Sequence, residues 1–281
     1  MPDNAPARPI ALALSTHPGP TVAVTVVTAV LALGAGLDAG RLALVTAAVF
    51  FNQVSVGLSN DWIDARRDAA VGRRDKPIAR GWISVPAVRT ASLVTLVLAV
   101  LLTLPLGWAA TIAHVVFIVS AWGYNLWFKR SALSVLPFVV SFGILPAIVT
   151  LADVPPRFAP WWMLAAGALL GVAAHFANVL PDLADDRATG IAGLPHRLGR
   201  RASGAVIAGS LAAAALLVVL GPGAPGALQW AGLALTLGLA AACAVLATTR
   251  PPTRLLFQLI MGAALLNVAL LALAGDAVLL R

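Results

Sequence analysis

The chain has 281 residues, of which 60% are hydrophobic and 11% charged, with a mean hydropathy of +0.93. A soluble domain carries about 25% charged residues, so this composition excludes an ordinary soluble globule and reads as an integral membrane protein. The net charge of +8 invites a nucleic-acid reading, but the placement of the cations along the chain argues against it.

Residues 1–17 are polar and proline-bearing and lack the apolar core and cleavage site of a signal peptide. They read as a short cytosolic tail, followed by a single domain over 18–281. Hydrophobic runs then predict nine spans: Pro18–Gly36, Leu42–Asn60, Val85–Leu104, Trp108–Phe128, Ala132–Leu151, Pro160–Pro181, Ala202–Leu220, Ala227–Ala247 and Thr253–Ala274. Each is close to the roughly 20 residues a helix needs to cross a bilayer. Gly and Pro punctuate most of the gaps. The runs are too long for barrel strands, which are about 10 residues and alternate in polarity. The one cysteine, Cys243, lies in an apolar run, which excludes a disulfide framework and a thiol metal site.

Nine spans put the N-terminus and the loops after spans 2, 4, 6 and 8 on one side. That side holds sixteen Lys and Arg, against Arg41, Arg157 and Arg281 on the other. Cytosolic loops are enriched in Lys and Arg, so the basic side is assigned to the cytosol. The expected fold is therefore all-α: nine transmembrane helices in one bundle of the bacterial cell membrane.

One pattern occurs twice. Asn60, Asp64 and Asp68 recur 118 residues later as Asn178, Asp182 and Asp186. The offset spans four helices, an even number, so the chain reads as two parallel four-helix repeats with Asp-rich motifs at the cytosolic ends of helices 2 and 6. Seven of the eleven acidic residues lie in or beside the motifs: Asp61, Asp64, Asp68, Asp75, Asp182, Asp185 and Asp186. Residues at i, i+4 and i+8 share a helix face. Like charges so placed destabilise a helix, and near hydrocarbon they cost more. A cation explains them, and Mg²⁺ is bound through one or two carboxylates, waters and substrate phosphate oxygens. Two facing half-sites would hold about two or three such ions around a diphosphate.

Between the first motif and span 3 lies Gly72-Arg73-Arg74-Asp75-Lys76-Pro77-Ile78-Ala79-Arg80-Gly81. Its cations suit phosphate oxygens; Lys76 and Arg80 are read as ligand contacts, whereas Arg66 and Arg67 are read as positive-inside anchors. Span 4 ends in a further cluster, Tyr124, Asn125, Lys129 and Arg130. Tyr124, the only tyrosine, suits either an interface belt with Trp122 and Trp127 or a pocket wall. His175 lies one turn before Asn178 and is either a site residue or a partner for a nearby carbonyl. His114 and His17 read as structural. His196 and Arg197, in the loop after span 6, are weaker candidates for phosphate. Asn52, Gln53, Gln258 and Asn267 read as interhelical glue.

The stretch NDWIDARRDAAVGRRDKPIARGWIS resembles the first signature of the UbiA superfamily of intramembrane prenyltransferases, N-D-x-x-D-x-x-x-D followed by a basic Pro-bearing loop. HFANVLPDLADDRATG resembles the second, a D-x-x-x-D ending the sixth helix. The resemblance spans essentially the whole chain. It implies that Asp64, Asp68, Asp182 and Asp186 are the catalytic carboxylates and, with Asn60 and Asn178, hold Mg²⁺ and the diphosphate of a polyprenyl donor. It also implies phosphate contacts from Lys76, Arg80, Lys129 and Arg74, and leaves Asp61, Tyr124, Asn125 and His175 as pocket candidates. The family often shows Y-x-x-x-K on helix 4, but here five positions separate Tyr124 from Lys129, so Asn125 stands at the i−4 place.

The implied activity is Mg²⁺-dependent transfer of an isoprenyl group to a lipophilic, aromatic acceptor through an allylic carbocation, with membrane lipid as surroundings. The alternatives are a membrane terpene cyclase of the same superfamily and a non-enzymatic lipid or ion transporter, the latter opposed by same-side parallel repeats.

Overall fold

A computed structural model describes residues 6–73, 75–183, 190–223, 225–249 and 254–273. The described residues are helical and contain no strand. Among the described residues a short α1 (Arg8–Leu14) precedes nine longer helices: α2 (Pro18–Gly34), α3 (Ala39–Ala70), α4 (Val85–Thr103), α5 (Trp108–Leu126), α6 (Leu136–Leu151), α7 (Trp161–Val179), α8 (Leu194–Leu220), α9 (Ala227–Thr249) and α10 (Arg254–Leu273). These nine fall in order on the nine predicted segments. The predicted N-terminal tail, by contrast, contains α1.

The chain is a multi-pass membrane protein, but its helices differ in how well they suit a crossing. Six are long and apolar enough by themselves: α3, α4 with its 3-10 extension to Leu106, α5, α7 with its 3-10 extension to Asp182, α8 and α9. A seventh arises if α1 and α2, bent by 67°, are one span. Helix α6 has 16 residues; at 1.5 Å per residue that is about 24 Å, against an apolar layer of about 30 Å. The apolar stretch of α10, Gln258–Ala269, is shorter still.

Three helix boundaries differ from expectation, and each bears on the site. Helix α3 runs 32 residues, through Ala70, and not to Asn60. Its last turns are polar, so a hydropathy boundary falls early, yet Ala65, Ala69 and Ala70 are good helix formers. Its start is capped by Asp38, whose Oδ1 accepts from the N–H groups of Gly40 and Arg41 at 2.9 and 3.0 Å. Helix α7 does the opposite. It ends at Val179, and Leu180–Asp182 tighten into a 3-10 turn around Pro181, which has no N–H to continue the ladder. Helix α8 starts at Leu194, ahead of the predicted Ala202, with a break at Gly199 (φ 77°). His196 and Arg197 therefore lie on a helix and not in a loop.

Sequence neighbours pack from α2 through to α10, and α10 returns against α2 to close the ring. Its interior is apolar, with Val45, Val49, Phe117, Ile148, Phe176, Ile207 and Leu211 buried. Helices α6 and α7 meet at backbone distance: a Cβ on Gly171 would lie 2.4 Å from the Phe138 carbonyl oxygen, so a larger residue cannot sit there. This contact brings Phe138 and the preceding turn against His175. Helices α2 and α6 start 118 residues apart, at Pro18 and Leu136, the offset of the repeated motif. Short connections make bundle neighbours antiparallel, so α3 and α7 run the same way.

Polar groups inside the bundle mostly join helices. Thr103 Oγ1 lies 2.6 Å from His114 Nδ1, joining α4 to α5 as expected for a structural histidine. Asn267 Nδ2 donates to Thr236 Oγ1 at 3.3 Å, joining α10 to α9, and Trp122 Nε1 donates to Ser55 Oγ at 3.1 Å. Gln258 is exposed, unlike the buried amide expected there. Cys243 is fully buried.

Candidate functional site

Because α3 is unbroken through the first motif, Asn60, Asp64 and Asp68 stand on one helical face, as the spacing predicts. Asp61, Asp64 and Asp68 are each only 2% exposed. A buried carboxylate is costly unless paired, and each of these meets a cation. Lys129 Nζ donates to Asp64 Oδ1 at 2.5 Å. Arg67 Nη2 donates to Asp64 Oδ2 and Asp68 Oδ1, both at 3.2 Å. Lys76 Nζ donates to Asp61 Oδ1 at 2.7 Å. Asn60 Nδ2 donates to Asp64 Oδ2 at 3.3 Å. Burial pushes Lys129 below the ordinary lysine range, against the pull of Asp64.

The second motif is built differently. Asn178 is exposed, and the Asp182 side chain is 42% exposed. The turn at Pro181 interrupts the α-helix between Asn178 and Asp182, two of the three residues expected on a single face; the third, Asp186, lies outside the described residues. One cation reaches it from the other half: Arg73 Nη1 lies 3.5 Å from Asp182 Oδ2. The rest of that guanidinium grips Asp75 twice, Nε to Oδ1 and Nη2 to Oδ2, each at 2.9 Å. This fork holds the Asp75 carboxyl well below the usual range and raises Arg73. Arg73 thus links the loop after α3 to the end of α7, and its backbone N–H donates to the Asp68 carbonyl at 3.0 Å.

Arg74, Asp185, Asp186 and Arg187 lie outside the described residues. Among the described residues no three His, Cys, Asp or Glu side chains gather as a metal cluster. What is present suits a hard cation: Asn60, Asp64, Asp68 and Asp182 offer only oxygen as potential ligand atoms, the donor type Mg²⁺ prefers.

The cluster at the end of α5 sorts its members by direction. Asn125 is 2% exposed and faces the first motif, donating to Ser59 Oγ at 2.7 Å and the Val56 carbonyl at 3.0 Å. It also accepts from Asn60 Nδ2 at 3.4 Å. Tyr124 turns the other way, its ring 5.0 Å from Phe138 and 5.7 Å from His175. Asn125, in the i−4 place before Lys129, is therefore the residue that touches the carboxylate helix. His175 is fully buried; its Nε2 lies 3.0 Å from Ser134 Oγ, which accepts from the Leu194 N–H at 2.8 Å. That chain ties α7 to the start of α8. Arg80 stacks on Trp82, 3.9 Å from the ring centroid, on the exposed side of the loop. Arg66 is exposed, as an anchor would be, and Arg197 Nε donates to the Ala192 carbonyl at 3.2 Å.

Three residues enter the site that sequence reasoning assigned elsewhere or left unassigned. Arg67 turns inward instead of anchoring, and its i+3 spacing from Asp64 was the available signal. Arg73 was one of several cations in a loop, with nothing to single it out. His17, read as structural, contacts Asp61 and Lys76, and nothing local in the sequence announces that.

The model of the UbiA prenyltransferase family matches residues 21–254. No curated protein sequence matches the chain. Among solved structures, an apo UbiA homolog from Aeropyrum pernix K1 is 19% identical with a TM-score of 0.75, covering 90% of this chain and 97% of its own. A UbiA homolog from Archaeoglobus fulgidus, bound to DMAPP and Mg²⁺, is 13% identical with a TM-score of 0.72, covering 95% and 99%. The same homolog bound to GPP and Mg²⁺ gives 13% and 0.70, covering 95% and 100%. A digeranylgeranylglyceryl phosphate synthase is 16% identical with a TM-score of 0.65, covering 96% and 99%. At these identities the likeness is one of fold.

Proposed function

The chain belongs to the UbiA prenyltransferase family, and from that membership we propose that it is a Mg²⁺-dependent intramembrane prenyltransferase. It moves an isoprenyl group from a polyprenyl diphosphate to a lipophilic, aromatic acceptor. The observation that carries this reading is the row of buried, cation-paired carboxylates on α3, with Arg73 in the loop after that helix reaching Asp182 at the end of α7. Asn60, Asp64 and Asp68 form one half of the metal site; Asn178, Asp182 and Asp186 form the other. The Mg²⁺ and prenyl diphosphates bound by the Archaeoglobus homolog support the choice of ligand.

Bound Mg²⁺ supplies charge neutralisation for the departing diphosphate. The protein's own cations add to it. Lys129 uses one donor on Asp64 among the described residues, which leaves donors for a phosphate oxygen, and Arg73 lies between the half-sites. Arg80 extends this basic rim, and Arg74, outside the described residues, is proposed as a further phosphate contact. The apolar ring interior keeps water from the allylic cation, and aromatic faces such as Phe138 stabilise it. Nine spans with the basic end in the cytosol would put the diphosphate entrance there and let the isoprenoid tail run along the helices.

Incubating the membrane-reconstituted protein with labelled prenyl diphosphates and Mg²⁺, with and without aromatic acceptors, tests this. Diphosphate release that requires an acceptor is the expected result. Release without one would mean cyclisation instead, and no release from any donor would remove both enzymatic readings.

A further inference from the structure

The N-terminal segment reaches the carboxylate helix through one residue. Between α1 and α2 the chain turns by 67°, and His17 at the turn has φ 55°, the one positive value among described non-glycine residues. That backbone costs about 1 kcal/mol or more, so its surroundings must hold it. Thr21 Oγ1 donates to the Thr16 carbonyl at 2.8 Å. Gly57 of α3 lets the same carbonyl so close that a Cβ there would lie 2.1 Å from its oxygen. Ser15 is fully buried beside it.

Held in this way, His17 Nε2 lies 2.9 Å from Lys76 Nζ and 3.2 Å from Asp61 Oδ1. The Lys76 ammonium has three donors and no acceptor. Its acceptors are Asp61 Oδ1 at 2.7 Å, His17 Nε2 at 2.9 Å and Asn60 Oδ1 at 3.3 Å. Three donors thus meet three acceptors, on a residue 8% exposed. Since Lys76 can only donate, His17 Nε2 accepts from it, which puts the ring proton on Nδ1; the 3.2 Å approach of Nε2 to Asp61 Oδ1 is then that of two acceptors sharing the Lys76 ammonium and not a hydrogen bond. An ammonium engaged on all sides has none left for a phosphate oxygen unless it abandons the buried Asp61.

We propose that Lys76, His17 and Asp61 form a positioning unit for Asn60, and that Lys76 is not a phosphate ligand. Lys76 holds the Asn60 carbonyl oxygen, which turns the Asn60 amide NH2 to donate to Asp64 Oδ2 and Asn125 Oδ1, so Asn60 serves the metal site by orienting the Asp64 carboxylate. The segment ahead of α2 is thereby part of the site. This inference rests on the metal–diphosphate reading above and departs from what the loop's resemblance alone assigns to Lys76.

The test is Mn²⁺ binding by the full-length protein in detergent, followed by electron paramagnetic resonance with inorganic pyrophosphate present. His17→Ala and Lys76→Met should each weaken Mn²⁺ binding by about 10–100-fold, the usual cost of losing a group that orients a metal ligand. The double variant should be no worse than the poorer single one. His17→Gln, whose Oε1 can accept from Lys76, should recover most of the loss. If His17→Ala is not recovered folded, His17→Phe removes the acceptor while keeping ring volume. The inference is overturned if His17 variants bind like wild type while Lys76→Met alone loses pyrophosphate, or if the two losses add. Wild-type protein that binds no Mn²⁺ with pyrophosphate would instead remove the metal–diphosphate reading, and this inference with it.

Discussion

The two copies of N-x-x-x-D-x-x-x-D have the same spelling and different physical settings. On α3 the helix runs straight through the motif and its aspartates are buried, so the fold itself must supply a counter-charge to each. At the end of α7 the helix stops before Pro181, Asp182 is half-exposed, and its cation, Arg73, comes from the other half. A repeat in sequence therefore preserves carboxylate chemistry without preserving its coupling to stability. The first of the two proposed half-sites is part of the folded core. The second belongs to the surface of the bundle's basic end.

The sharpest way to break this contrast is to remove one aspartate from each half. Asp64→Ala would strand Lys129, which is 4% exposed; removing one partner of a buried pair costs about 3–5 kcal/mol. Turnover should also fall by about a thousandfold or more, equivalent to about 4 kcal/mol of transition-state stabilisation. Asp182→Ala should lose turnover to a similar degree while changing unfolding stability by less than about 0.5 kcal/mol, as for an exposed site. Chemical unfolding monitored by circular dichroism, beside a diphosphate-release assay, separates the two. Equal destabilisation by both would erase the distinction.

A second variant sharpens the reason for it. Adding Lys129→Met to Asp64→Ala removes the stranded charge, so stability should return by about 1–4 kcal/mol while turnover stays absent. No recovery would mean the Asp64 side chain supports the fold by something other than pairing with Lys129.

How much of this was legible follows from the range of each signal. Apolar runs located the nine longer helices of the described residues, and the motif's offset matches the start-to-start spacing of α2 and α6. The carboxylate face of α3 was legible because four-residue spacing is a local property. The extension of α3 through Ala70 was not, since hydropathy stops where the chain leaves the apolar layer and hydrogen bonding does not. The break at Pro181 is a local effect that the matched spacing concealed. His17 and Lys76 meet across 59 positions, and no periodicity reports such a contact. Tyr124 and Asn125 are adjacent, and only the packing of α5 against α3 and α6 decides which one faces the aspartates.

Arg73 reaches from the loop after α3 to Asp182, so Arg73→Gln should leave the fold intact and raise the KM for the prenyl donor by about tenfold, the scale of one charge-assisted hydrogen bond. A change in kcat alone would place Arg73 outside donor binding. The smallest effect is expected at Arg80, whose guanidinium rests on Trp82: Arg80→Gln should cost about 0.5–1 kcal/mol in loop stability and only a few-fold in KM.

The most direct test of the central claim is Mg²⁺-dependent diphosphate release from a labelled prenyl diphosphate with acceptor present, measured for wild type, Asp64→Ala and Asp182→Ala. Two half-sites acting as one clamp predict release by wild type that EDTA abolishes and Mg²⁺ restores, with both variants at the buffer rate. Release by either variant at the wild-type rate would contradict it.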